Sequence, residues 1–264
     1  HMHYTAPVTD IRFALEAAAD LWSVKRHGAF SDLDEDLLGA ILDAAASLAG
    51  ETLAPLNRVG DEEGVSLHDS VVKTPAGFAA AYKEFAAGGW LGLAADPAYG
   101  GQGMPRAVAL AAMEMVHSAN MSFGLLPLLS LGAIEAISTH GSSEHKQVYL
   151  AKLISGEWTG TMNLTEPQAG SDLGALTTKA VAAMDGAYRI SGQKIFITWG
   201  EHDLASNIIH LVLARVEGAP AGSKGISLFI VPKILGDGVR NSVRCVGLEE
   251  KLGIHASPTC VMAY

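Results

Sequence analysis

Hydrophobic and polar residues along this chain keep two different rhythms, and the change comes near residue 156. Over residues 34–56 the apolar positions Leu37, Leu38, Ile41, Leu42, Ala45 and Leu48 recur at the three-and-four spacing of one helix face. Pro55 and Gly60 mark the expected end of that helix. Thr74-Pro75 reads as a capping hydroxyl followed by a first-turn proline. The helix it opens carries Phe78, Tyr82 and Phe85 and stops at Gly88-Gly89. After a glycine-rich connector at 99–103 come helices at 105–120 and about 123–140. The second is apolar on most sides, which predicts a place inside a bundle. Ser142-Ser143-Glu144 starts a last helix, with an acid in its first turn, that ends at Ser155-Gly156. Residues up to about 33 read as a weakly patterned arm, and 65–73 as an excursion.

Beyond 156 the helical spacing disappears. Short runs rich in Val, Ile, Thr and aromatics fill 157–164, 178–184, 188–191, 194–198, 208–216 and 226–231. Asp185-Gly186 is a hairpin turn between two of them. The pattern predicts an α+β chain. An N-terminal α-helical bundle domain occupies residues 3–156, and an all-β barrel or sandwich domain occupies 157–264, with a strand still running at the last residues.

Composition narrows the class. A chain of 264 residues with 49% hydrophobic and 17% charged residues has ample material for a core. A net charge of −10 argues against nucleic acid or an anionic membrane surface as partner, yet leaves room for an anionic small molecule held by a few lysines and backbone N–H groups. The cysteines, Cys245 and Cys260, have no metal-type spacing and predict a reducing, cytoplasmic setting with structural thiols. No metal site is expected, and the histidines read as structural. His1-Met2 reads as a tag remnant. The apolar stretch 123–137 is interrupted by Pro127 and Glu135 and is judged too short to span a bilayer. Asp61-Glu62-Glu63 reads as a solvated face.

Several motifs are discarded. Gly101-Gln102-Gly103 lacks the third glycine and the βαβ setting of a dinucleotide fingerprint. Ser143 and Lys146 match a Ser-x-x-Lys pattern, but the partner motifs of such acyl-transfer enzymes are missing.

Two stretches carry more. Residues 162–172 read Met-Asn-Leu-Thr-Glu-Pro-Gln-Ala-Gly-Ser-Asp, and 192–198 read Gly-Gln-Lys-Ile-Phe-Ile-Thr. Together with residues 99–103 and Lys251-Leu252-Gly253 they resemble the signatures of the acyl-CoA dehydrogenase family, from about residue 34 to the end, and residues 74–158 and 254–259 look most like a bacterial branch that includes enzymes for 3-methylmercaptopropionyl-CoA and for a broad range of fatty acyl-CoAs. The resemblance implies FAD as cofactor and dehydrogenation of an acyl-CoA thioester to a trans-2-enoyl-CoA. It implies an electron-transferring flavoprotein as acceptor and a homo-oligomer, dimer or tetramer. It implies that Met162, Leu164 and Thr165 line the flavin, that Gly170 allows close approach, that Phe196 and Ile197 cover the ring, and that the Thr198 hydroxyl bonds near N5. Ser171 would sit where flavin diphosphate and pantetheine meet. Ser223 and Ser257 would contact the CoA portion, with Lys224 adding charge. Phe196 stands where many relatives carry Trp, and Trp199 follows close by, which leaves the acceptor in doubt. The family's catalytic glutamate lies in a C-terminal four-helix domain that this sequence does not reach, so no catalytic residue is expected here; a fragment is favoured over a partial subunit. The alternatives are a non-catalytic scaffold subunit of a hetero-oligomer and a serine acyl-hydrolase using Ser143 and Lys146.

Overall fold

A computed structural model describes residues 3–264; His1 and Met2, read above as a tag remnant, lie outside them. The first part holds α1 (Val8–Phe13), α2 (Glu35–Ser47), α3 (Ala54–Glu63), α4 (Phe78–Ala87), α5 (Arg106–Ala119), α6 (Met121–His140) and α7 (Ser143–Ser155). Strands β1 (Ser66–His68) and β2 (Val71–Lys73) form a hairpin between α3 and α4. The second part holds β3 (Trp158–Asn163), β4 (Lys179–Ala182), β5 (Tyr188–Ser191), β6 (Gln193–Thr198), β7 (Asn207–Val216), β8 (Ile226–Pro232), β9 (Arg244–Leu248) and β10 (Thr259–Ala263).

Several local expectations are corrected. Pro55 does not end a helix. A wider turn at Leu48–Leu53 carries α2 into α3, and Pro55 falls in the first turn of α3, where a missing N–H costs little. Thr74 does not cap α4; its hydroxyl donates to Asp203 at 2.5 Å, and α4 begins after left-handed Gly77. The arm before residue 33 is helical over much of its length, and Ile11, Leu15, Leu21 and Leu33 join the core that α2 faces. The excursion is the β1–β2 hairpin, whose turn residues Asp69 and Ser70 both have positive φ, as a twisted two-residue turn requires. Strand β9 went unread because its outward residue is Val246, while inward-facing Cys245 and Gly247 are small.

Helix α6 is the centre of the first part. Its cap is Asn120, whose Oδ1 accepts the Phe123 N–H at 3.1 Å while its Nδ2 donates to the Leu53 carbonyl. It runs for 20 residues with Pro127 inside, so it is long and apolar enough to cross a membrane by length and composition, as is the continuous Glu35–Glu63 helix. The interrupted stretch judged too short above is thus part of a longer helix, one half-buried in this fold.

The sheets order as β6-β10-β9 and β3-β7-β4-β5, with β8 pairing β7. Strand β3 runs parallel to β7 and forms the seam between the two parts. Its alternation sends Trp158, Gly160 and Met162 toward α6 and α7 and Thr159, Thr161 and Asn163 into the β domain. At Gly160 the contact leaves no room for a side chain: a Cβ there would lie 2.4 Å from the Ala133 Cβ. Its N–H donates to Ser130 Oγ at 3.0 Å, so α6 completes the backbone pairing of the strand.

Candidate functional site

The end of β3 and the middle of β6 are brought side by side, and a buried ion pair holds them. Lys194 Nζ lies 2.7 Å from Glu166 Oε2, with side-chain exposures of 0% and 1%. The same ammonium donates to the Leu164 carbonyl at 2.9 Å, and the Ile195 N–H donates to the Thr165 carbonyl at 2.9 Å. Glu166 also accepts from the Thr177 N–H at 2.7 Å, the Thr178 hydroxyl at 2.6 Å and Gln168 at 2.8 Å. Burial alone would raise its pKa; Lys194 and these donors outweigh that and hold it down to about 2. Within the Thr165-Glu166-Pro167 motif the glutamate is buried, which the motif by itself does not reveal. A signal was present in Lys194, a lysine inside a strand, which needs a partner such as the acid of the turn after β3.

With their carbonyls fixed, Leu164 and Thr165 are half-buried, as is Met162, whose Cγ lies 4.0 Å from where a Cβ on Gly132 of α6 would be. On β6 one extra residue interrupts the pairing with β10, so that Ile195 and Phe196 together oppose Val261. Phe196 sits in the left-handed region, φ 57°, and is 55% exposed. Thr198 is half-buried. Ile197 departs from expectation. The bulge turns it inward, and at 2% exposure it packs with Val212, Val231 and Met262, so only its backbone is left to face a ligand. Met162, Leu164 and Phe196 lie with Thr165 and Thr198 where the segment after β3 meets β6, a partly exposed shelf, and no hydrogen bond among the described residues engages either threonine hydroxyl. A Cβ on Gly170 would meet no atom within 4 Å, so space beside the loop is free. That chemistry suits a flat aromatic ligand with a polar edge.

The remaining candidates fall into two groups. Ser171 is exposed on the loop after Gly170, and exposed Ser223 begins a short turn (Ser223–Gly225) that packs against Leu173–Ala175. Arg215, not singled out from sequence, knits these turns together by donating to the carbonyls of Pro220, of Gly222 at 2.8 Å and of Gly174 at 3.1 Å. Lys224 is exposed beside Ser223. Ser257 is elsewhere, 0% exposed, and its Oγ has no partner among the described residues. Its loop clasps α3. The His255 N–H donates to Asp61 at 2.8 Å, and the ring Nδ1 lies 3.2 Å from the same oxygen. Asp61-Glu62-Glu63 is therefore more than a solvated face: Glu63 also accepts the Ala76 N–H at 3.0 Å.

Trp199 does not border the shelf. It is 0% exposed and sits in the helical core, its Nε1 donating to the Ser122 carbonyl at 3.0 Å. Ser143 and Lys146 occupy the first turn of α7; the cap is Ser142, whose Oγ accepts the His145 N–H at 3.1 Å.

Behind the shelf, the β domain buries a polar spine. Thr161 Oγ1 lies 2.7 Å from His210 Nδ1, and Asn163 bonds both His210 and Tyr264. His202 pairs with Thr159 at 2.8 Å, and its Nδ1 accepts the Leu204 N–H at 3.0 Å, which leaves Nε2 as the protonated nitrogen of the neutral ring. Burial, reinforced by nearby Lys233, pushes both histidines down to about 3. Cys245 and Cys260 are buried on neighbouring strands, unbridged. No group of three metal-ligating side chains is found among the described residues. Two defined clefts lie away from the shelf. One, of about 320 Å³, is bounded by Arg58, Asp61, Met121, Ser122 and Ile254; the other, of about 410 Å³, lies between α4 and the turn at 204–206.

A family model described as acyl-CoA dehydrogenase, N-terminal domain, matches residues 38–157, and one for the acyl-CoA dehydrogenase middle domain matches residues 161–264. A 3-methylmercaptopropionyl-CoA dehydrogenase of Ruegeria pomeroyi is 51% identical over 268 residues, covering 100% of this chain and 46% of that protein. A butyryl-CoA dehydrogenase of Syntrophomonas wolfei is 38% identical, covering 100% of this chain and 45% of that protein. The structure of a Bacillus anthracis acyl-CoA dehydrogenase complexed with FAD superposes with a TM-score of 0.70 at 23% identity, over 88% of this chain and 36% of that one, a likeness of fold alone. The chain spans about half the length of the curated relatives it matches. It belongs to the acyl-CoA dehydrogenase family, of which it carries the N-terminal helical domain and the middle β domain.

Proposed function

We propose that this chain supplies the flavin wall and part of the CoA site of an FAD-dependent acyl-CoA dehydrogenase. The observation that carries the reading is the pair of unengaged hydroxyls, Thr165 and Thr198, on the two segments that also carry Met162, Leu164 and Phe196. When bound there, FAD supplies the hydride acceptor for oxidation of the acyl Cα–Cβ bond.

The chain's own residues do the holding. Met162, Leu164 and Phe196 offer apolar surface to the ring, and burying it excludes water from the reacting face. Thr165 and Thr198 would hold the ring's polar edge by donating their hydroxyls, which would favour its reduced form. Ser171 and Ser223 meet the phosphate-bearing parts of cofactor and substrate, with Lys224 as a nearby cation. Ser257 holds a buried, unpartnered hydroxyl that would contact the CoA portion of the substrate. The base that removes the Cα proton comes from the part of the protein beyond these two domains, which also closes the shelf. The enzyme works in the cytoplasm as a homo-oligomer and passes its electrons to an electron-transferring flavoprotein.

The test is reduction. Full-length protein, purified with its flavin, is mixed with 3-methylmercaptopropionyl-CoA or butyryl-CoA without oxygen. Bleaching of the flavin with formation of the 2-enoyl product supports the reading. Flavin that stays oxidised with every acyl-CoA tried rejects the dehydrogenase activity while leaving a flavin site.

A further inference from the structure

Trp199 is the largest fully buried side chain, and nothing in the two signatures accounts for it. Its backbone is left-handed, φ 54°, a conformation that bulky residues rarely adopt. Such strain persists only where the surroundings over-determine it, and here they do. The indole Nε1 donates to the carbonyl of Ser122 in the first turn of α6 at 3.0 Å. The backbone N–H donates to the Pro258 carbonyl at 2.8 Å, one residue from buried Ser257. The ring stands edge-on to His202, centroids 5.6 Å apart, and His202 in turn holds Thr159 of β3. The side chain belongs to the helical core although the β domain carries it.

The residue before it is Thr198, and Phe196, three residues before Trp199, is also left-handed. The two-residue segment that carries Thr198 thus runs between two left-handed residues, of which Trp199 is anchored by its side chain and backbone. We propose that Trp199 is a positioning residue: it fixes the Thr198 hydroxyl relative to α6 and the Ser257 loop, so that one side chain sets the register between the flavin face and the substrate side. This rests on the flavin reading above. A hydroxyl that must meet a fixed ring loses its effect if its strand end drifts, since small misplacements are costly in rate. Deleting the indole N–H should act on the flavin's environment more than on the fold.

The experiment compares Trp199→Phe with wild type in the full-length protein. A second variant replaces Trp199 by benzothienylalanine, which keeps ring shape and removes only the N–H donor, so loss of folding in the first cannot decide the matter. A remote core variant, Leu38→Ala, serves as a control for general destabilisation. The readouts are the dissociation constant for FAD, the position and fine structure of the visible flavin band, and the flavin reduction rate at saturating acyl-CoA. The expected result is a shifted band, FAD binding at least about tenfold weaker and reduction slowed by at least about tenfold in the two Trp199 variants. Leu38→Ala loses melting temperature but keeps spectrum and rate. Wild-type spectrum, affinity and rate in the benzothienylalanine variant, or equal losses in Leu38→Ala, overturn the role of Trp199. Wild-type protein that takes up no flavin overturns the site itself, and the role with it.

Discussion

Lys194 and Glu166 lie 28 residues apart in sequence, and their buried ion pair joins the two signature stretches at their centres. Each also holds backbone: Lys194 the carbonyl of Leu164, Glu166 the N–H groups of Thr177 and Thr178. Removing one partner strands the other charge in a site without water. Lys194→Met or Glu166→Leu alone is expected to cost about 3–5 kcal/mol. The double variant is expected to cost clearly less than the sum of the two singles, because a well-packed apolar pair can replace a buried ion pair. Denaturant unfolding of the four proteins measures this, and additive losses contradict the coupling.

Glu166 also sets an acid limit. Its folded pKa of about 2 lies below the ordinary 4.5, so its stabilisation is complete above pH 4.5 and is lost as the pH falls from there toward 2. In Glu166→Gln that part of the pH dependence should vanish. An unchanged acid profile in the variant rejects this assignment.

The buried histidines act at higher pH. His202 and His210 are lowered from 6.5 to about 3, so their contribution is full above pH 6.5 and is lost progressively as the pH falls toward 3. Stability should begin to drop below pH 6.5, with a slope of up to ~1.4 kcal/mol per pH unit for each histidine. His210→Asn should flatten the profile between pH 6 and 4, approximately halving the slope. A flat wild-type profile over that window contradicts the neutral, buried state of the rings.

Gly160→Ala tests the seam. The new Cβ would fall 2.4 Å from the Ala133 Cβ, so β3 must move off α6. The expected loss is about 1–3 kcal/mol, the cost of overpacking, with weaker FAD retention because β3 leads directly into Leu164 and Thr165. Thermal unfolding and flavin content measure both; a variant as stable as wild type contradicts the packing.

Ser142→Ala and Ser143→Ala separate a cap from a nucleophile. Loss of the Ser142 cap on α7 is expected to cost about 1 kcal/mol, and Ser143→Ala almost nothing. An acylating serine inhibitor that labels wild type but not Ser143→Ala would revive a hydrolase.

Much of this architecture was legible in the sequence because local signals were strong. Periodic Leu and Ile along α2, Ser142 at the start of α7 and Asp185-Gly186 between β4 and β5 each state their element within a few residues. What stayed hidden depends on partners far away. Thr74 looks like a cap until Asp203, 129 residues on, takes its hydroxyl. Ile197 looks like part of an exposed signature until a bulge at Phe196 rotates it into the core. Trp199 looks like a neighbour of the flavin face until its indole is seen bonded to α6. The shelf residues themselves were found through the motif, while the Glu166–Lys194 clamp that fixes their carbonyls needed three dimensions.

Titration of FAD into flavin-stripped full-length protein tests the central claim most directly. Wild type should saturate at about one FAD per chain, the occupancy of a single built site. Thr165→Val and Thr198→Val should each weaken binding by about tenfold, near 1.4 kcal/mol for a lost hydrogen bond to the ligand. A wild type that binds no FAD, or variants that bind it as tightly as wild type, would place the cofactor somewhere other than this shelf.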